Sequence, residues 1–139
     1  MADVVDLAEA VKTELAAFAW GETATVTRGW LQVKDLKALA TLTILVAADA
    51  DIASAYQHAK DRHEIALQIV VQKRVGKGDD APALVDALVA KIAAARDALR
   101  KSVAGMWPLA PEWPVIASPE HLHEFGLLFS VLVMRWVKL

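Results

Sequence analysis

The chain has 139 residues, of which 56% are hydrophobic, with no cysteine and a formal net charge of −2 at pH 7. This length predicts one domain over residues 1–139 that buries a single core. A slightly acidic chain offers no excess positive field to a phosphate backbone, so specific or broad electrostatic binding of nucleic acid is not expected, and a chain without cysteine has no disulfide framework or thiol chemistry.

The high hydrophobic content does not predict a membrane-spanning segment. The longest charge-free run, Phe125 to Met134, is far shorter than the roughly 20 residues that a spanning helix needs, and its β-branched residues favour a strand. The N-terminus begins with an acidic amphipathic stretch, Ala2 to Phe18, which lacks the basic and apolar regions of a signal peptide. We therefore expect no membrane partner, and synthesis and folding in the cytoplasm.

Hydrophobic periodicity divides the first part of the chain into one long helix and two strands. Apolar residues recur at helical spacing from Val4 to Phe18, and Asp3 can cap this helix. The segments that follow are rich in Thr, Val and other strand-forming residues. The predicted order is a helix over Val4 to Phe18, a strand over Thr25 to Val33, one helical turn over Asp35 to Leu39, a strand over Thr41 to Ala47 with one solvated or partly solvated face, and a loop over Ala48 to Ala59.

The second part of the chain predicts another helix between two long strands. Residues 62–74 alternate apolar and polar side chains, and Gly76-Lys77-Gly78 then makes a turn before Asp79 or Asp80 caps a helix that has Pro82 in its first turn. Prolines recur every third residue from 108 to 114, which favours an extended connection. A final strand runs to Lys138. The fold class is therefore α+β, with two helices packed on a mainly antiparallel sheet of four to five strands.

The final strand, 125–138, carries large apolar side chains on both faces. Side chains alternate along a strand, and we expect the face with Val131 to join the core and the other face to contact another subunit, because exposed apolar patches of this size mark interfaces. Loops and tryptophans are further candidate contacts. The residues predicted to form partner interfaces are Asp49, Asp51, Tyr56, Trp107, Trp113, Leu128, Leu132 and Trp136.

Two patterns suggest a cofactor or a metal, and each has a simpler explanation. Gly76, Gly78 and Ala81 satisfy the dinucleotide pattern G-x-G-x-x-A, but the two aspartates inside it would repel a pyrophosphate. His121 and His123 lie beside two glutamates without the spacing of a metal site, and they suit a polar segment before a strand. His58 and His63 could complete a site only if the fold brought them close. We predict no catalytic residues, no cofactor and no metal.

The order of segments resembles the tail terminator, or tail completion, proteins of the neck of long-tailed bacteriophages. The resemblance rests on the acidic N-terminal helix, the strands TLTILVA, IALQIVVQKRV and FSVLVMRWV, the Val33-Lys34-Asp35-Leu36 turn, the acidic turn into a leucine-rich helix, and the Ser118-Pro119-Glu120-His121-Leu122 segment. It implies a non-enzymatic α+β subunit of the virion, assembled in the host cytoplasm. It also implies a homo-oligomeric ring, by family a hexamer, that caps the tail tube protein and docks a head-completion or connector protein.

Two alternatives remain open at the level of the sequence. One is a different neck or head-completion protein of the same kind of particle. The other is a small oligomeric ligand-binding protein or enzyme, against which stands the absence of a convergent nucleophile, base and oxyanion donor.

Overall fold

The computed structural model describes residues 2–29, 41–51 and 63–138. Within these ranges the chain forms three helices and a six-stranded sheet, which confirms the α+β class. In chain order the elements are α1 (Ala2–Ala17), β1 (Ala24–Gly29), β2 (Leu42–Asp51), β3 (His63–Arg74), α2 (Ala81–Leu99), β4 (Trp107–Pro108), β5 (Glu112–Val115), α3 (Pro119–Phe125) and β6 (Leu127–Lys138).

The sheet is mainly antiparallel, as predicted. Its strand order is β1-β2-β3-β6-β4, with β5 also pairing β6. The β1 and β2 strands pair in parallel, and all the other pairs are antiparallel. The two longest strands, β3 and β6, pair over their whole lengths from His63↔Lys138 to Arg74↔Leu127, so β4 and β5 share the other edge of β6.

The main core lies between one face of this sheet and helices α1 and α2. Leu7, Val11 and Leu15 follow one another at helical spacing along α1, and all three are buried. The α2 helix contributes its own buried stripe of Leu88, Ile92, Ala95 and Leu99. The sheet side of the core is lined by Ile44, Val46, Ile65, Leu67, Ile69, Val71, Leu128, Leu132, Met134 and Trp136.

The turn between β3 and α2 follows the predicted pattern with one difference. Gly76 adopts φ of 81°, which a residue with a side chain rarely takes, and a proline occupies the first turn of α2. Asp80 stands at the N-cap position, but its backbone is already helical (φ −85°, ψ −9°) and its side chain makes no capping hydrogen bond. An aspartate therefore occupies the predicted N-cap position, but its side chain does not cap the helix.

The segment between α2 and β6 is more structured than predicted. Residues 107–108 and 112–115 pair with β6 as short strands, and Pro119–Phe125 forms a helix rather than a polar lead into the last strand. Ser118 caps α3, since its Oγ accepts a hydrogen bond from the His121 backbone N–H (3.4 Å). Gly126 ends the helix in the left-handed conformation with φ of 60°. The final strand therefore begins at Leu127, and Phe125 belongs to α3.

The region of β2 also differs from the prediction. The strand runs on to Asp51, so Ala48–Asp51 are not a loop. A register shift between Ala48 and Ala50 shows that the strand passes through a β-bulge there. Residues 42–47 are all buried, and a solvated face on this strand was therefore a wrong expectation. The predicted turn at 35–39 and the predicted loop beyond residue 51 lie outside the described residues.

Two helices are tied to other parts of the fold by polar contacts. Lys91 on α2 donates to the backbone carbonyl of Trp20, whose indole N–H in turn donates to the Leu15 carbonyl (2.8 Å). Glu14 near the end of α1 pairs with Lys101 just after α2 (3.0 Å). No helix among the described residues is long and apolar enough to cross a membrane.

Candidate functional site

The face of β6 that packs into the core is the one that the sequence predicted to contact another subunit. Leu128, Leu132 and Trp136 are 0%, 2% and 0% exposed and lie in the chain's own core under α1 and α2. The prediction that these three side chains contact another subunit was therefore wrong. The physical reason is that both faces of β6 are equally apolar in sequence, and only the placement of the helices decides which one they cover.

The opposite face of the sheet carries a second, smaller apolar cluster. Leu45, Ala47 and Val70 are buried in it, and Phe129 and Val131 are half-buried against it. Val131, expected in the main core, therefore belongs to this second face. Because this face combines buried and half-buried side chains, it is the less fully covered of the two faces of the sheet.

Helix α3 and strand β5 anchor this second face locally. The His121 ring stacks on Phe129 with a centroid distance of 4.6 Å and an interplanar angle of 11°. Ser118 Oγ lies 2.6 Å from His121 Nδ1, which holds the ring in this orientation. Nearby, Arg135 Nη2 pairs with the Glu112 carboxylate at 2.9 Å. His121 and Ser118 thus have structural roles in packing α3 onto β6.

Trp113, predicted at a partner interface, anchors β5 within the subunit. Its indole N–H donates to Ser130 Oγ (2.8 Å), and that hydroxyl donates to the Val115 carbonyl (3.1 Å). The Arg96 guanidinium lies 5.6 Å from the centre of the Trp113 ring, within cation–π range. The side chain is partly buried against the main core, and its role at a partner interface stays a prediction.

Trp107 presents the opposite case. It begins β4, pairs with Val137, and leaves 59% of its surface exposed. Trp20 and Trp136 are only 3% and 0% exposed, so Trp107 stands out among the tryptophans in the described part of the chain. The large exposed indole fits its predicted role as a contact residue.

The remaining predicted contact residues are placed only in part. Asp49 lies at the β2 bulge and Asp51 is the last residue of that strand, paired with Ile65. Tyr56 lies outside the described residues. Their role at a partner interface stays a prediction.

A groove that the sequence did not predict lies where α3 meets the start of α2. It is open to solvent, has a volume of about 740 Å³ and has apolar walls formed by Ala81, Pro82, Val85 and Leu122. Lys77, Asp86 and His123 supply polar groups around it. Such dimensions and lining are typical of a surface that receives a bulky apolar group.

The groove exists because α3 docks on the β3–α2 turn. The Gly126 carbonyl accepts hydrogen bonds from the backbone N–H groups of Val75 (2.8 Å) and Gly76 (3.0 Å). A Cβ on Gly126 would lie 2.9 Å from the Gly76 carbonyl group, so only glycine permits this approach. The signal that could have revealed α3 was the Ser118-Pro119 cap and Gly126 at its end, but nothing local in the sequence indicates the groove itself.

The three histidines in the described part of the chain do not converge on a common site. His121 stacks on Phe129 and His123 borders the groove, whereas His63 pairs in register with Lys138 at the far end of β6. His58 lies outside the described residues. Within 2–29, 41–51 and 63–138 no three His, Asp or Glu side chains group as a metal site would require.

The glycine pattern at the β3–α2 turn lies in the wrong topology for a dinucleotide. That fingerprint needs a strand, a helix and a second strand parallel to the first. Here β3 is antiparallel to both of its neighbours, β2 and β6. Asp79 and Asp80 are exposed within the turn, where a pyrophosphate would otherwise lie.

Comparison with known proteins is informative at the level of the fold. No family model matches the chain, and no curated protein matches its sequence. Among solved structures, the chain is similar to one from a structure described as the virion of a native gene transfer agent particle. The two share 19% sequence identity with a TM-score of 0.50, over 96% of this chain and 95% of the other. The whole described architecture is thus a fold found in that particle.

Proposed function

We propose that this chain is a structural, non-enzymatic subunit of a phage-like particle. The observation that carries the proposal is the fold similarity to a chain of a gene transfer agent virion over almost the full length of both chains. A match of that extent covers the whole arrangement of elements in both chains rather than one shared motif. The sequence resemblance to tail terminator proteins supports the same class of function independently.

Within this class the chain acts as a tail terminator. Six copies form a ring on the upper end of the tail tube, where the ring meets the tube protein on one side and a head-completion or connector protein on the other. The location is the neck of the virion. A ring that ends a polymer needs two different surfaces, because the same contact on both sides would continue the tube.

The polar residues in the described part of the chain support a non-catalytic role. His121 and Ser118 hold α3 on the sheet, and Ser130 links Trp113 to the Val115 carbonyl. These groups are used by the fold: the Ser118 hydroxyl beside His121 also accepts the hydrogen bond that caps α3.

Electron microscopy of particles made without this gene tests the proposal. We expect unattached tails, some longer than normal, together with filled heads that lack tails, because an uncapped tube continues to grow. Addition of the purified protein should cap these tails and restore joining. As a control, the Leu132→Asp variant, whose buried charge should prevent folding, should restore nothing.

The outcomes separate the terminator from the nearest alternative. Normal tails joined to heads in the deletion would contradict the terminator role. Filled heads that leak while tails keep their normal length would instead assign the chain to head completion.

A further inference from the structure

The groove at the start of α2 has the chemistry of a receptor for an aromatic side chain. Its apolar walls, Val85 and Leu122 among them, offer dispersion contacts, while Lys77 and Asp86 provide a cation and a carboxylate. An indole needs an apolar pocket and an acceptor for its N–H group, and a cation can lie over its face.

The same chain exposes such a side chain at its other end. Trp107 is 59% exposed on the short strand β4, next to Val137 near the end of β6. Tryptophan contributes more than most residues to the centres of protein interfaces, because it buries a large rigid surface with few rotatable bonds.

The groove and Trp107 lie at opposite ends of the sheet. Gly76 at the groove contacts Gly126, just before Leu127, whereas Trp107 pairs with Val137. Ten residues of β6 separate these two points, which at strand spacing corresponds to about 33 Å. An indole that far away does not reach the groove of its own subunit, so the groove is available to another copy.

The charges at the two ends are complementary. Acidic side chains outnumber basic ones around the groove, where the exposed carboxylates are Asp79, Asp80, Asp86, Glu120 and Glu124, and the cations are Arg74 and Lys77. Near Trp107 the exposed cations are Arg100, Lys101 and Lys138, and the exposed carboxylates are Glu14, paired with Lys101, and Glu112, paired with the half-buried Arg135, so cations remain in excess. The Lys101 carbonyl accepts a hydrogen bond from the Trp136 indole N–H (3.1 Å), and this contact places Lys101 at the Trp107 end of the sheet. Opposite fields favour approach of the Trp107 end of one copy to the groove of the next.

We propose that Trp107 of one subunit inserts into the groove of a second copy of this chain. The contact is head-to-tail, because each subunit offers the indole at one end and the groove at the other. Repetition of such a contact closes into a ring when its rotation allows and otherwise extends as a filament. This contact would join neighbouring subunits of the proposed ring, and only the closure of the ring rests on the proposed function.

Two variants that each remove one side of the contact provide the test. Trp107→Ala removes the inserting side chain, and Ala81→Phe fills the groove from its own wall. We expect each variant alone to be folded by circular dichroism and to associate at least about 30-fold more weakly than the unmodified protein in sedimentation velocity. An equimolar mixture should form a 1:1 dimer that grows no further, since it contains one working indole and one working groove.

Matched controls use substitutions of the same kind elsewhere on the surface. Ile116→Ala removes another exposed apolar side chain, and Ala87→Phe adds an aromatic ring on the side of α2 away from the groove. Both controls should associate like the unmodified protein.

Several results would overturn the proposal. These are an unmodified protein that stays monomeric at all concentrations, a Trp107→Ala variant that still assembles, and a variant mixture that stays monomeric or forms large assemblies. Binding of the uncharged apolar dye Nile red that Ala81→Phe abolishes, in a protein that never associates, would assign the groove to a small ligand instead. The virion role is tested separately. If the purified protein associates head-to-tail but the deletion still produces normal tails joined to heads, only the terminator function is contradicted.

Discussion

At the scale of single residues, one buried hydroxyl in the core has both a donor and an acceptor as partners. Ser130 is fully buried, yet its hydroxyl both accepts from the Trp113 indole and donates to the Val115 carbonyl. Buried polar groups of this kind stabilise only when their hydrogen bonds are complete. This pair therefore fixes where β5 lies against β6.

Replacing Trp113 with Phe tests that pair. The change keeps an aromatic ring but removes the N–H donor to Ser130, so we expect the free energy of unfolding to fall by about 1–2 kcal/mol. Urea unfolding followed by circular dichroism measures the difference. Trp107→Phe, compared at a protein concentration too low for association, is the control and should shift stability by less than about 0.5 kcal/mol, because its ring is exposed within the subunit. Equal effects at both positions would contradict an anchoring role for Trp113.

At the scale of elements, the position of α3 depends on a glycine at its end. Gly126 and Gly105 both have positive φ, 60° and 76°, so a side chain at either position costs about 1–2 kcal/mol in backbone strain. They differ in their surroundings. A Cβ at Gly105 would have no atom within 4 Å, whereas one at Gly126 would press on the Gly76 backbone.

Alanine substitutions at these two glycines separate the effect of backbone strain from the effect on the docking of α3 against the β3–α2 turn. We expect Gly126→Ala to lower the free energy of unfolding by at least about 1 kcal/mol more than Gly105→Ala does, because overpacking adds to the strain. Thermal unfolding of the two variants measures the difference. Equal losses would mean that α3 does not need its close approach to the β3–α2 turn.

The two faces of β6 provide the second prediction at this scale. Leu132→Asp places a carboxylate in the main core, which costs several kcal/mol and is comparable with the stability of a whole domain, so this variant should not fold. Val131→Asp lies on the half-buried face and should retain a cooperative unfolding transition. Circular dichroism with thermal melting distinguishes them, and a folded Leu132→Asp variant would contradict the assignment of the faces.

At the scale of the whole molecule, the sheet gives the subunit two different ends. One end holds the groove and an excess of acidic side chains, and the other holds Trp107 with the exposed basic residues Arg100 and Lys101. A subunit with unlike ends suits a head-to-tail assembly better than a two-fold symmetric one, since a two-fold contact uses the same patch on both copies. This asymmetry is what relates the fold to the proposed ring.

Much of the fold could be predicted from the sequence because its signals are local. The helical spacing of Leu7, Val11 and Leu15 identified α1, and the alternation of Ile65 and Leu67 with polar neighbours identified β3. The glycines and the proline at the β3–α2 turn likewise indicated where α2 begins. In each case the pattern reflects contacts or backbone angles set within a few residues.

The tertiary structure alone decided what depends on distant parts of the chain. Leu132 and Val131 are neighbours on an apolar strand, and only the packing of α1 and α2 on one side makes the first a core residue and leaves the second half-buried. Trp107 and Trp113 look alike in sequence, each before a proline, but Ser130 pairs with one and leaves the other exposed. The groove arises from the contact of Gly126 with Gly76, fifty residues earlier in the chain. Periodicity reports that a side chain will be buried, whereas the partner that buries it is set by long-range packing.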